Sequence, residues 1–143
     1  MAEKSIDGKL LMVGERYTRS ELAKIWGYAG WEALAKGIVS AKDHVVVLFT
    51  TEEKSKDATQ YQDMLIGDCL HIEGQKEHKT DHTVLEGQTF YSFFRKSYKE
   101  TKHGAAIFQY LGRAELLRHD CQILNEKPSK FVFRLIDLDK KTR

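Results

Sequence analysis

Between Asp63 and Lys76 the sequence sets two carboxylates, an amide and an ammonium around two short apolar runs. Met64-Leu65-Ile66 and Cys69-Leu70-His71-Ile72 flank Gly67-Asp68. Two such runs joined by a glycine-containing pair predict a β-hairpin, and the order Gly-Asp suits a type II′ turn with glycine at the positive-φ position. A hairpin returns its feet to one end, so Asp63 should meet Glu73-Gly74-Gln75-Lys76. As a D…E-x-Q site, Asp63 and Glu73 would hold magnesium and Gln75 would stand where a lysine orients water, which is the chemistry of a metal-dependent endonuclease. Lys76, the residue able to help generate hydroxide, falls one position later, where strand alternation turns it to the opposite face. The competing reading is an ordinary hairpin with a solvated, charged foot.

A second constellation is a binding face. Tyr61, Gln62, Gln75, Lys76, Lys79, Arg95, Lys96 and Tyr110 combine aromatic planes, amides and cations, the types that stack on bases, read base edges and neutralise phosphates. Arg16 and Arg19 are further candidates for phosphate contact. Against this stands the structural reading, in which the tyrosines are half-buried sheet residues and the cations merely keep the chain soluble.

No metal or cofactor site is expected. Cys69 and Cys121 lie far apart, without metal-ligand spacing, and are expected to be reduced. His78 and His82 are four residues apart and can share a helix face, but no third ligand stands at a suggestive distance.

A chain of 143 residues fits one domain, 1–143, with one core. With 41% hydrophobic and 31% charged residues it has no run of the roughly 18 apolar residues a membrane helix needs. No apolar segment with a small-residue cleavage site follows the N-terminus, so no membrane partner and a cytoplasmic location are expected. The net charge of +2 does not itself indicate nucleic acid, because clustering decides. Clusters occur at Arg95-Lys96 with Lys99 and Lys102, at Lys127 with Lys130, and in the tail Lys140-Lys141-Thr142-Arg143.

The elements that must position these residues follow from capping and periodicity. Leu10 to Val13 is a short strand or packed arm ended by Gly14. Thr18-Arg19-Ser20-Glu21 is a capping box, opening a helix that buries Leu22, Ile25 and Trp26 and stops at Gly27. A second short helix, Gly30 to Lys36, shows Trp31, Leu34 and Ala35 on one side. The pair resembles a helix-turn-helix in outline, but its second member carries Glu32 and one cation, so packing against a sheet is the expected role. From Ile38 the pattern turns to strand, and His44 to Thr51 is so continuously apolar that it predicts a central strand buried on both faces. A helical turn is expected near Asp81, anchored by Val84-Leu85. Thr89 to Lys96 should be an aromatic strand with Phe90, Phe93 and Phe94 in the core, followed by a basic loop, Tyr98 to Gly104. Ala105 to Leu124 should form a long strand bulged at Gly112, and Lys130 to Leu138 a last one. The sum is an α+β domain: an N-terminal helical pair on a curved, mostly antiparallel sheet of about five or six strands.

Several segments, in order, resemble a bacterial domain family attached to HNH endonucleases and helicases of defence and modification-dependent restriction systems. They are G-E-R-Y-T-R-S-E-L-A (Gly14 to Ala23), Y-Q-D (Tyr61 to Asp63), G-D-C-L-H-I-E-G-Q-K (Gly67 to Lys76), Asp81, F-F-R-K (Phe93 to Lys96), F-Q-Y-L-G (Phe108 to Gly112) and F-V-F-R-L (Phe131 to Leu135). The family pattern runs G-x-x-Y-x-R-x-E-I, Y-x-D, Y-x-G-E-G-Q-x-G-D, an H-L-F strand and F-x-Y-x-G. Here G-E-G-Q-x-G-D becomes E-G-Q-K-E-H-K-T-D, and S-F-F replaces the histidine strand. The resemblance implies a non-enzymatic module that recognises modified, double-stranded DNA, with a nuclease or helicase domain or subunit as partner and a curved sheet like that of SRA and other PUA-like readers. Such readers probe a base in a pocket between sheet and loops. That places Tyr61, Asp63 and Gln75 near the probed nucleotide. The endonuclease and a protein-interaction module built on the aromatic strands remain the alternatives.

Overall fold

Nine strands and two α-helices occupy the described residues of the computed structural model, which are Ile6, 11–54, 63–73, 81–120 and 129–137. The chain enters through β1 (Arg16–Thr18), whose last residue also caps α1 (Arg19–Trp26). The Thr18 hydroxyl accepts the Glu21 N–H at 3.2 Å and the Glu21 carboxylate accepts the Thr18 N–H at 2.9 Å, the expected capping box. Gly27, at φ 76°, closes the helix in the left-handed conformation that glycine adopts without strain.

The second expected helix is only a 3-10 turn, Trp31–Leu34. Too few residues separate Gly30 from Gly37 for α-helical hydrogen bonding to propagate beyond its costly first turn. Leu34 is buried as expected, but Ile25 and Trp31 are exposed. Leu11 is buried too, although Leu11 to Val13 forms no strand.

The strands that follow are β2 (Ile38–Ala41), β3 (Val45–Glu53), β4 (Met64–Ile66) and β5 (Cys69–Glu73). After α2 (Asp81–Glu86) come β6 (Thr89–Ser97), β7 (Thr101–Lys102), β8 (Ala105–Asp120) and β9 (Lys130–Leu135). The β4–β5 hairpin has the expected tip, with Gly67 at φ 62° and Ile66 opposite Cys69. The sheet runs β2-β3-β6-β8-β9-β5-β4, with β1 and β7 also pairing to β8. Among the described residues only β3–β6 is parallel; the other pairings are antiparallel.

Nine strands correct the expected five or six. The very short β1 and β7 show no periodicity of their own; they exist because the 16-residue β8 offers backbone groups to be paired. Nor is β3 central: it is second in the row, and β8 holds the middle. Its apolar run is nevertheless buried on both faces, from Val46 to Thr50, because α1 covers one side and the sheet itself covers the other.

Two apolar clusters therefore replace the single expected core. On one face Val47, Phe49, Tyr91, Phe93, Phe108 and Tyr110 meet Leu22, Trp26 and Leu34. On the other, Val46 and Leu48 of β3 share a cluster with Leu70 and Ile72 of β5, Phe131 and Phe133 of β9, and Val84 of α2. Strands from opposite ends of the row can meet in one cluster only if the sheet curls, and β8 supplies two bends. Register shifts leave Leu111 and Leu117 without partners, and Gly112 takes φ 89° beside the first of these bulges. Among the described residues, no helix is long and apolar enough to cross a membrane.

Candidate nucleic-acid interface

Parallel pairing puts the C-terminal ends of β3 and β6 at one edge, with Glu53 opposite Ser97. The curl returns β4 to the same edge. There the Glu52 carboxylate accepts the Leu65 N–H at 3.4 Å, and Lys54 Nζ lies 3.1 Å from Asp63 Oδ2. Asp63 Oδ1 accepts the Glu73 N–H at 3.3 Å. Side chains thus stitch a seam that the backbone ladder does not close. The foot of the hairpin, Asp63 and Glu73, sits in that seam.

Asp63 is buried and Lys54 nearly so. Burial raises the Asp63 carboxyl above the ordinary aspartate value, outweighing the downward pull of Lys54 and of the Glu73 amide. Both carboxylate oxygens already have donors, one an ammonium. This arrangement does not favour Asp63 as a magnesium ligand in the D…E-x-Q alternative. Among the described residues no three His, Cys, Asp or Glu side chains form a cluster able to hold a metal.

Thr51 connects the seam to the cations. Its carbonyl accepts Lys54 Nζ at 2.9 Å, and its hydroxyl accepts Arg95 Nε at 2.8 Å. Arg95 also donates Nη1 to the carbonyls of Tyr98 and Glu100, each at 3.2 Å, and lies over the Phe108 ring. Burial lowers its pKa, although Glu100 opposes the shift. Glu100 gathers the neighbours: one carboxylate oxygen pairs with Arg16 Nη1 at 3.2 Å, and the other accepts the N–H groups of Lys96 and Ser97. The side chains of Arg16 and Lys96 remain exposed, as do those of Tyr98 and Lys99.

Arg19 stands on the helical side. Its guanidinium covers Phe49 and Phe108 and donates Nε to the Leu34 carbonyl at 2.6 Å. Burial, with Arg95 nearby, lowers its pKa to about 10. Tyr110 is 3% exposed, packed on Phe93, and its phenol is pushed above the ordinary value by burial. That places Tyr110 in the core, away from any open binding face.

The structure therefore brings Asp63, Glu73, Arg95, Lys96 and Arg16 to one rim, sets Arg19 behind it on the helical side and buries Tyr110. Tyr61, Gln62, Gln75, Lys76 and Lys79, and with Gln75 the third member of the D…E-x-Q set, lie outside the described residues. Lys54, Thr51 and Glu100 escaped the sequence reading. Lys54 adjoins a strand end in a polar stretch, and no local pattern says that a partner nine residues away will face it.

The fold this geometry defines is SRA-like. It is similar to Arabidopsis thaliana SUVH6 in complex with SAM, at TM-score 0.57 and 19% identity over 94% of this chain. It is also similar to KRYPTONITE in complex with mCHG DNA and SAH, at TM-score 0.57 and 11% identity over 96% of this chain. A further KRYPTONITE structure, with mCHH DNA, the H3(1-15) peptide and SAH, gives TM-score 0.54 at 11% identity. The chain spans 27% of the SUVH6 chain and 34% of the KRYPTONITE chains. No family model matches the sequence, and neither does any curated protein.

Proposed function

We propose that this chain is a DNA-binding module that reads modified double-stranded DNA at the rim where the hairpin foot meets the ends of β3 and β6. The observation that carries the reading is the shared edge itself. An acidic foot held in a buried seam stands beside a strand end bearing Lys96, with Lys99 in the turn beyond it and Arg16 across Glu100. Cations of this kind neutralise phosphates and fix register, while the Lys54–Asp63 pair holds in place the hairpin foot from which the neighbouring residues reach a base. Tyr61 and Gln62 adjoin Asp63 in sequence, and Gln75 and Lys76 follow Glu73 closely. They complete the proposed site: Tyr61 and Gln75 beside the probed nucleotide, Lys76 and Lys79 on the backbone. KRYPTONITE, whose fold this chain shares, was solved with mCHG and mCHH DNA, which supports the same class of ligand here. The chain spans about a third or less of those proteins; the resemblance of its sequence segments to domains attached to nucleases and helicases supports a free-standing reader or the targeting part of a restriction or defence protein.

The test is binding to matched duplexes that are unmodified, 5-methylated, 5-hydroxymethylated or phosphorothioated, with magnesium present so that cleavage would also register. The expected result is at least tenfold tighter binding to one modified duplex and no cutting. Equal affinity for all four would end the reader proposal, and no retention at low salt would end DNA binding altogether.

A further inference from the structure

Behind the rim, a hollow of about 420 Å³ opens between the start of α1, the 3-10 turn Trp31–Leu34 and the β7–β8 turn, lined by Arg19, Ser20, Trp31, His103 and Ala106. Its far wall is a tight hairpin. Lys102 pairs with Ala105, and the two turn residues, His103 at φ 51° and Gly104 at φ 81°, both adopt positive φ. An ion pair of 3.0 Å between Lys102 and Glu21 links this hairpin to α1.

Three features of the lining agree. The Trp31 indole is 50% exposed at the hollow and offers a flat aromatic face on which a planar ring can stack. Among the described residues, no carboxylate lies within ion-pair distance of Arg19. Arg19 and Arg95 instead approach the same Phe108 ring and repel each other, leaving positive charge that an anion would neutralise. His103 and Ser20 add exposed polar groups at the edge. A flat aromatic body joined to an anion matches this combination, and the volume suits a single nucleotide.

We propose that this hollow binds a nucleoside phosphate, with the base on Trp31 and the phosphate against Arg19 and His103. The site is separate from the proposed duplex-binding rim. The ligand is either a free nucleotide or an unpaired nucleotide of a polymer, since both present the same chemistry.

The experiment uses the full chain and two titrations. Trp31 emission is followed against dCMP, AMP, inorganic phosphate, adenosine and a short single-stranded oligonucleotide; Trp26, 6% exposed, supplies a constant background. Equilibrium dialysis then measures the same nucleotides with Trp31→Ala and His103→Asn, the second keeping a residue tolerant of positive φ. Saturable quenching by mononucleotides, at least tenfold tighter than by phosphate or adenosine alone and weakened at least fivefold by each substitution, is the expected result. Stronger quenching by the oligonucleotide would identify the polymer as source, and equal or weaker quenching the free nucleotide. No saturation at millimolar nucleotide, or equal binding of adenosine, would overturn the proposal. Loss of modified-duplex binding in both variants would also overturn it, because the hollow would then belong to the duplex interface; failure of duplex binding in the unsubstituted chain leaves the nucleotide titration standing.

Discussion

Lys54 Nζ lies 3.1 Å from Asp63 Oδ2, and that ion pair joins β3, near one end of the strand row, to the approach to β4 at the other. The two side chains are 16% and 10% exposed, so neither can recover its hydration if the other is removed. Asp63→Ala would remove the carboxylate that balances the Lys54 charge and leave the Glu73 amide without its acceptor. The expected loss is about 3 kcal/mol, read from urea denaturation. A cost below about 0.5 kcal/mol would mean that the seam does not hold the curl together.

The pH dependence of the same group has a definite sign. Burial raises the Asp63 carboxyl in the folded chain, so the fold binds this proton more tightly than the unfolded chain does. Its contribution to stability therefore falls as pH rises from the ordinary aspartate value of 3.8 through the raised folded value. Asp63→Asn, which cannot ionise, should remove that slope. Chemical denaturation of both proteins across the mildly acidic range checks it, and parallel curves would refute it.

Asp137 behaves in the opposite sense. Arg113 donates Nε and Nη2 to its two oxygens at 2.8 Å each, and the Arg113 amide adds a third bond at 3.0 Å. These bonds hold the Asp137 carboxyl below its ordinary value. Its stabilising contribution is present above the unfolded value of 3.8 and disappears as pH falls through the folded one. Thermal unfolding should show Asp137→Asn less stable than the parent at neutral pH, with the gap closing on acidification.

Gly112 meets Asp137 from the other side. A β-carbon there would stand 2.6 Å from the Asp137 β-carbon, and the backbone sits at φ 89°. Gly112→Ala should cost at least about 1–2 kcal/mol from conformation alone, before the clash. An unchanged melting temperature would show that the bulge relaxes freely.

On the rim, Lys96→Glu with Lys99→Glu should weaken duplex binding and lower the slope of log affinity against log salt by about one for each phosphate no longer neutralised. Arg95→Gln should act differently. It breaks bonds to Thr51, Tyr98 and Glu100 and so should destabilise the fold by roughly 1–2 kcal/mol. Salt-dependent anisotropy beside denaturation separates the two. An unchanged slope in the double variant would remove Lys96 and Lys99 from the interface.

Local signals were legible where the chemistry is local. The Thr18–Glu21 capping box, the Gly67 turn, the helical turn at Asp81, the aromatic strand around Phe93 and the bulge at Gly112 all stand where capping, turn and periodicity rules put them. The SRA-like fold was legible too, through the order of short segments rather than through any single one. Trp31 misled because a short apolar spacing fits a buried helix face as well as an exposed turn.

What the sequence determined by itself is therefore the longer elements and most of their buried faces, since propensity, capping and alternation act over a few residues. Only the tertiary structure decided that Arg95 turns inward to Thr51 while Lys96 stays outside, that Tyr110 belongs to the core, and that Lys54 closes on Asp63. Those outcomes depend on the direction and extent of the curl, which arises from the packing of β3, β5 and β9 around one apolar cluster and from two bulges in β8. Meetings between residues far apart in the row are fixed by that closure, and no stretch of sequence short enough to show a pattern contains it.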